Sequence, residues 1–328
     1  MPNRPSAPDG PTVLVGEAVE DWTGDAVFYE YSVAADPIGS GAISRVPVRS
    51  FPPGLHDAVP SGIVPLDLSA DLGVAYPATS PALLASFVVI EPGEQVTTRP
   101  EATSELYYCL RGEGHSDFRR PGSRGHIEWG SGDFLALPAG CTTGHTAHRS
   151  RVLLYQVTDA PLLRYLGAAP HEGRFEPTRF DGAEASERLA AVERDPAASA
   201  RSRVSVLLGN RATPQTLTVT HTLWAMLGVL PAGRVQRPHR HQSVALDLVT
   251  ECSPGCYSLI GAHVGADGTI LDPVRVDWEP AGAFVTPPGL WHSHHNESGR
   301  PAYLVPVQDA GLHTYLRSLD IRFVRADD

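Results

Sequence analysis

The chain contains no lysine, and its 26 basic residues are all arginine. A Schiff base, a pyridoxal phosphate tether and a P-loop each need a primary amine, so those chemistries are excluded. Positive charge is scarce overall. Against 37 Asp and Glu the formal net charge is −11, and no basic block is present to neutralise phosphates, which argues against nucleic acid as a partner. No apolar stretch reaches the ~18–20 residues that cross a bilayer, so no membrane partner is expected. The opening MPNRPSAPDGPT lacks the apolar run of a secretory leader. The four cysteines, at 109, 141, 252 and 256, are too few and too scattered for a disulfide scaffold. These features lead to the expectation of a soluble cytoplasmic protein.

Glycine and proline are plentiful, at 31 and 30 of 328 residues. That abundance disfavours long helices and favours short strands joined by tight turns, so the expected class is all-β. Residues 1–60 read as an N-terminal tail and arm, with a loose polar start. From Ala82 the segments LLASFVVI, ELYYCL, HIEW, DFLALP and RVLLYQV are short apolar or alternating runs bounded by Gly, Pro or Asp. Residues 61–166 therefore form a first strand-rich domain. Residues 167–202 form a linker whose GAEASERLAAVERDP has helical spacing. Residues 203–328 form a second strand-rich domain, beginning with VSVLLG and LTVTHTLWAMLGVL.

The two strand-rich domains repeat each other. Val157-Thr158-Asp159-Ala160-Pro161-Leu162 recurs as Val307-Gln308-Asp309-Ala310-Gly311-Leu312, and each continues to a Tyr-Leu pair. Trp129 matches Trp278, and the turn Pro138-Ala139-Gly140 matches Pro287-Pro288-Gly289. The copies lie roughly 150 residues apart, so the protein reads as a duplicated β-domain. Asp159 and Asp309 occupy equivalent places, which points to a structural role at a turn.

Only the second copy carries a histidine constellation. His239-Arg240-His241 follows the turn Pro231-Ala232-Gly233, and His292 follows Pro287-Pro288-Gly289-Leu290-Trp291. Two histidines at i and i+2 on a strand share a face, and a third enters from a neighbouring antiparallel strand. Three neutral imidazoles meeting inside a barrel suit a first-row divalent metal and leave positions open for water, oxygen or substrate. His295 is one residue out of phase and should face away. In the first copy His115, His126 and His145 do not have ligand spacing, so no second metal is expected there. Cys252-Ser253-Pro254-Gly255-Cys256 reads as a hairpin turn, not a zinc ligand pair.

These residues resemble the cupin superfamily, and more closely the bicupins of the gentisate, salicylate and 1-hydroxy-2-naphthoate dioxygenase group. The resemblance covers about residues 82–325. It rests on Pro231-Ala232-Gly233 with His239-Arg240-His241, on Phe284 to His294, and on the Gln308-Asp309-Ala310 close. It implies two double-stranded β-helix (jelly-roll) barrels with a short connecting helix, and commonly a homo-oligomer, dimer or tetramer. It also implies Fe(II) held by His239, His241 and His292, with O2 as co-substrate and no carboxylate ligand. Gln242 to Leu246 indeed contain no Glu. Trp224 falls where the group has a pocket aromatic, Arg203 where it has a substrate-binding arginine, and His294 where it has an acid/base histidine.

Two departures stand out. The first copy is the degenerate one here, whereas family members with a single site usually carry iron in the first cupin. Aligning the halves sets Arg99/Pro100 and Glu101/Ala102 over the His-x-His pair and Thr143 over His292. Asp247 stands where the group carries a carboxylate-clamping arginine, and this reversal favours an N–H, amino or hydroxyl donor over a benzoate. The resulting expectation is an extradiol-type, Fe(II)-dependent dioxygenase. It would cleave or oxidatively rearrange a hydroxylated aromatic or N-heteroaromatic, hydroxypyridine-like ring, in catabolism or natural-product biosynthesis. Trp224 and Trp291 would wall the ring, Arg203 and Asp247 would hold substituents at opposite ends, and His294 would move protons. The alternatives are an O2-independent isomerase or hydrolase on the same site, and a non-catalytic small-molecule-binding cupin.

Overall fold

A computed structural model describes residues 22–171 and 173–324, so the expected loose start lies outside the described residues. The chain divides into a short unit ending at Ser44 and a large unit from Arg45 onward. In the short unit a single helical turn, Tyr31–Ala34, is capped by the Glu30 carboxylate. The side chains of Trp22, Phe28, Tyr29 and Tyr31 in this segment are exposed.

The large unit is built from two matching sets of eight strands. The first comprises β1 (Leu84–Ile90), β2 (Gln95–Thr98), β3 (Ser104–Arg111), β4 (Glu113–Arg120), β5 (Ser123–Gly130), β6 (Phe134–Pro138), β7 (Thr142–Ala147) and β8 (Val152–Thr158). The second comprises β9 (Trp224–Leu230), β10 (Val235–Arg240), β11 (Ala245–Glu251), β12 (Cys256–Gly261), β13 (Val274–Asp277), β14 (Ala283–Thr286), β15 (Trp291–Asn296) and β16 (Ala302–Gln308). In the first set one sheet has the order β6-β3-β8-β1 and the other β2-β7-β4-β5. The second set repeats both orders strand for strand, as β14-β11-β16-β9 and β10-β15-β12-β13. Each set is an antiparallel jelly roll, as the duplicated sequence implies.

Short flanking strands tie the barrels together. Arg49–Phe51, from the N-terminal arm, pairs with β14 of the second barrel. Thr178–Phe180, from the linker, pairs with β6 of the first. Arg151 fixes the stretch after the arm strand by donating to the carbonyls of His56, Asp57 and Val59. The linker helix spans Gly182–Arg194; Asp181 caps it by accepting from Ala183 and Glu184, and it buries Ala185 and Leu189.

Strand alternation sends one face of each inner sheet into a core shared by both barrels. Leu153, Tyr155 and Val157 of β8 lie there with Leu246 and Leu248 of β11. The intervening residues enter their own barrel: Leu154 packs with Leu135 and Trp129, and Val249 with Ile260 and Trp278. The matched aspartates each tie the end of one strand to the start of another. Asp159 accepts from the backbone of Thr103 and Ser104, and Asp309 from that of Val244.

The shared core makes the barrels one cooperative body. Leu246→Ala should cost about 2–5 kcal/mol of unfolding free energy, through lost burial and a cavity between the sheets. The exposed Val274→Ala should stay within about 0.5 kcal/mol of the parent. Urea denaturation of the two variants checks the difference.

Candidate metal centre

His239 on β10 and His292 on β15 are register partners, and His241 follows one residue beyond the end of β10. All three side chains are buried. Their ring centroids lie 4.0 Å apart for His239–His292, 4.8 Å for His241–His292 and 6.1 Å for His239–His241. One nitrogen from each falls within 4.8 Å of the others. The preceding Pro-Pro-Gly turn has a direct role in this convergence. Gly289, at φ +75°, turns its N–H onto the His241 carbonyl at 2.7 Å, so His292 enters its strand pinned against His241.

The hydrogen bonds select the tautomer of each ring. Nδ1 of His239 lies 3.0 Å from the Arg237 carbonyl, that of His241 2.8 Å from the Ser243 carbonyl, and that of His292 3.0 Å from the Leu290 carbonyl. A carbonyl can only accept, so each Nδ1 carries the proton and each Nε2 keeps a lone pair. Burial keeps the rings neutral. It pushes His241 down to about 4 and holds His239 and His292 well below the ordinary range, helped by neighbouring imidazoles and the Arg203 charge. Three neutral, oriented Nε2 donors suit a first-row divalent ion, and their Nδ1 contacts supply the outer hydrogen bonds such ligands need.

His294 is buried nearby, its ring 5.7 Å from His292, but it is wired differently. Trp278 donates its indole N–H to Ser258 Oγ at 2.9 Å, and Ser258 Oγ lies 2.7 Å from His294 Nδ1. With the indole proton already on the oxygen, the arrangement that also satisfies the Ser258 hydroxyl has it donate to Nδ1. His294 then bears its proton on Nε2 and is a donor to the site, not a ligand.

The surrounding side chains form one polar chain. Gln236 is 3.4 Å from His239 Nε2, and Arg203 Nε donates to its Oε1 at 3.3 Å. Arg203 also lies 3.0 Å from the sulfur of Met226. On β9, Ala225, Leu227 and Val229 face the shared core, so Trp224 and Met226 face the barrel interior. The Trp224 indole N–H is buried without a hydrogen-bond acceptor. Asp247 faces the same interior and accepts from Thr286 Oγ1 at 2.8 Å. Burial raises its carboxyl to about 6, and the Arg203 charge opposes that rise. The Arg203 and Asp247 charges therefore influence each other within the barrel interior. Phe323, on a short strand paired with β10, stacks over His239 at 5.6 Å, a contact the sequence did not signal.

Trp291 is placed elsewhere. It alternates with His292 and stacks with Arg240, whose guanidinium lies 5.1 Å from the ring, on the face opposite the triad. The expected wall role is corrected by this alternation. His295 shares the outward parity and stacks on Tyr257 at 4.7 Å.

In the first barrel the equivalent positions have other occupants. Thr98 pairs with Thr143 as His239 pairs with His292. Thr98 thus matches His239, one residue before the position that sequence alignment indicated, because β10 carries a bulge between Gln236 and His239. Tyr107 takes the place of Asp247, and its hydroxyl donates to Glu105 while meeting Gln156 and Thr98 at 2.7 and 2.8 Å. The ring lies against His145, 4.7 Å away, so it fills the volume that the triad surrounds in the second barrel. The relay persists: Trp129 donates to Ser116 Oγ at 2.7 Å, and that oxygen meets His145 Nδ1 at 2.8 Å. A cavity of about 740 Å³ opens at this barrel, lined in part by Ser86, Thr98, Arg99, Gln156 and Thr158.

No family model matches the chain. A gentisate 1,2-dioxygenase of Aquipseudomonas alcaligenes is 29% identical over 133 residues, which is 40% of this chain and 33% of that protein. The match therefore spans about a third of that relative's length. Among solved structures, salicylate 1,2-dioxygenase of Pseudoaminobacter salicylatoxidans with gentisate superposes with a TM-score of 0.65 at 16% identity, covering 85% of this chain and 86% of that one. A gentisate complex of a variant of that enzyme gives 0.66 at 16% identity, covering 89% of each chain. Tomato vicilin gives 0.54 at 11% identity, covering 84% of this chain and 87% of that one. The fold is the bicupin fold of these structures.

The buried carboxyl of the first barrel yields a pH test. Burial raises Glu105 from an ordinary 4.5 to about 8, so the folded chain holds a proton that the unfolded chain has released. The stability Glu105 contributes is full below about pH 4.5 and is lost as pH rises towards 8. Relative to the parent, Glu105→Gln should gain on the order of 2–4 kcal/mol between pH 5 and pH 8.5. Unfolding titrations at the two pH values measure that gain.

Proposed function

We propose that the second barrel binds Fe(II) through His239, His241 and His292, and that the protein is a dioxygenase cleaving or oxidatively rearranging a hydroxylated aromatic or N-heteroaromatic ring. The observation that carries this reading is the set of three Nε2 lone pairs, each fixed by an Nδ1–H to a backbone carbonyl and converging without a carboxylate. The partial match to a gentisate dioxygenase and the shared bicupin fold support it.

Fe(II) bound there would supply Lewis acidity towards a ring hydroxyl and a path for electrons from the ring to O2. Three neutral ligands leave the ion's charge undiminished and favour the divalent state, the basis for assigning the extradiol type. The chain's own groups do the rest. Arg203 faces the site with donors for an anionic or carbonyl substituent, and the free Trp224 N–H offers a further donor. Asp247, ionised above about pH 6, accepts from an N–H, amino or hydroxyl group. His294 presents an Nε2–H that can be shared with a developing oxygen anion, and the Ser258 contact at Nδ1 holds the ring in that tautomer. A ring carrying both a hydroxyl and a hydrogen-bond donor, such as a hydroxypyridine, fits this set better than a benzoate does. We place the protein in the cytoplasm as a homo-oligomer; its unpaired cysteines and the exposed Trp22, Phe28 and Tyr29 support that reading.

The experiment is oxygen uptake by Fe(II)-loaded protein across a panel of hydroxylated aromatic acids and hydroxypyridines. His292→Ala should abolish both iron retention and uptake, and a variant that kept full turnover would remove the triad from the chemistry. Turnover without oxygen consumption would instead indicate an isomerase or hydrolase, and specific binding without turnover a non-catalytic cupin. Asp247→Asn should leave iron content unchanged and lower kcat/KM roughly tenfold or more, the effect of losing one buried charged hydrogen bond. Equal kcat/KM in parent and variant would take Asp247 out of substrate recognition.

A further inference from the structure

The first barrel has no ligand set inside, but its outer face gathers three imidazoles and two carboxylates. β4 and β5 pair so that His115 lies opposite Glu128 and Asp117 opposite His126, all with the outward parity. His148, just beyond the end of β7, leans onto the same patch. His115, His126 and His145 lack ligand spacing in the sequence; strand register brings His115 and His126 together with His148 across three segments.

The distances are those of a chelate. His115 Nδ1 and His148 Nε2 are 3.0 Å apart, and Glu128 Oε2 is 3.6 Å from His148 Nε2. Two nitrogens each about 2.0–2.1 Å from one ion stand roughly 3.0–3.4 Å apart at ordinary coordination angles. The other Glu128 oxygen is held by His126 Nε2 at 2.7 Å, and His126 Nδ1 in turn meets Asp117 at 2.8 Å. His126 therefore aims Glu128 at the gap between His115 and His148. His126 donates from both ring nitrogens and is an imidazolium, so the two carboxylates leave the patch a net negative charge, and no arginine is bonded to either.

We propose that His115, His148 and Glu128 form a second site for a divalent transition ion of the zinc class, open to solvent and separate from the interior triad. Such an ion joins β4, the edge strand β5 and the segment after β7, and so staples the open edge of the sheet. His126 is a positioning residue for Glu128.

The test is zinc titration of the tag-free full-length chain by calorimetry, comparing the parent with His115→Ala/His148→Ala. The substituted residues lie at the surface or close to it, and circular dichroism monitors folding. The double variant should bind one equivalent fewer than the parent, whatever the triad itself takes up. Glu128→Gln should weaken that same equivalent about tenfold or more. In His239→Ala/His292→Ala the equivalent should remain. Identical zinc uptake by the parent and His115→Ala/His148→Ala, or loss of this equivalent in the triad variant, overturns the proposal.

Discussion

Three backbone carbonyls, those of Arg237, Ser243 and Leu290, determine what the second barrel can do. Each accepts a hydrogen bond from an imidazole Nδ1–H and so leaves the opposite nitrogen as a Lewis base aimed at a common point. The carbonyls are held by the strands and turns that carry the histidines, so the site is organised before anything binds. Burial adds to this by keeping protons off the same nitrogens. The donors therefore meet an incoming cation without reorganisation.

Duplication shows which features belong to the frame and which to the site. The Trp–Ser–His relay occurs in both barrels, in one as Trp129–Ser116–His145 and in the other as Trp278–Ser258–His294. Its presence in the barrel without a triad makes it part of the frame, and in the second barrel the same histidine lies beside the triad, its ring 5.7 Å from that of His292. The copies differ at the site itself. Threonine stands for His239 and for His292, and Tyr107 stands for Asp247. The tyrosine anchors a polar network around Glu105, whereas the aspartate keeps a titratable acceptor in the electrostatic reach of Arg203. One scaffold thus supports a tyrosine-centred polar network in one copy and three converging imidazoles in the other.

Much of this was legible before folding because it follows from short-range rules. The i, i+2 spacing of His239 and His241, the turn before His292 and the repeated Asp-Ala close each depend on a few neighbouring residues. Trp291 could have been placed by the parity rule applied to His295, since it also neighbours a ligand position; its bulk suggested a pocket wall instead. Alignment of the halves slipped by one residue because a bulge in β10 is invisible to a residue count. The pairing of Arg49–Phe51 with β14 links segments far apart in the chain and left no local trace.

The amino-acid sequence by itself determined the class of the fold, its duplication and the three histidines that share one face, since alternation and turn chemistry are local. Tertiary structure alone decided the ring tautomers, the burial of Asp247 against Thr286 and the gathering of His115, Glu128 and His148. Those depend on strand register and on how deeply each group is withdrawn from water, and both quantities exist only once distant strands have paired.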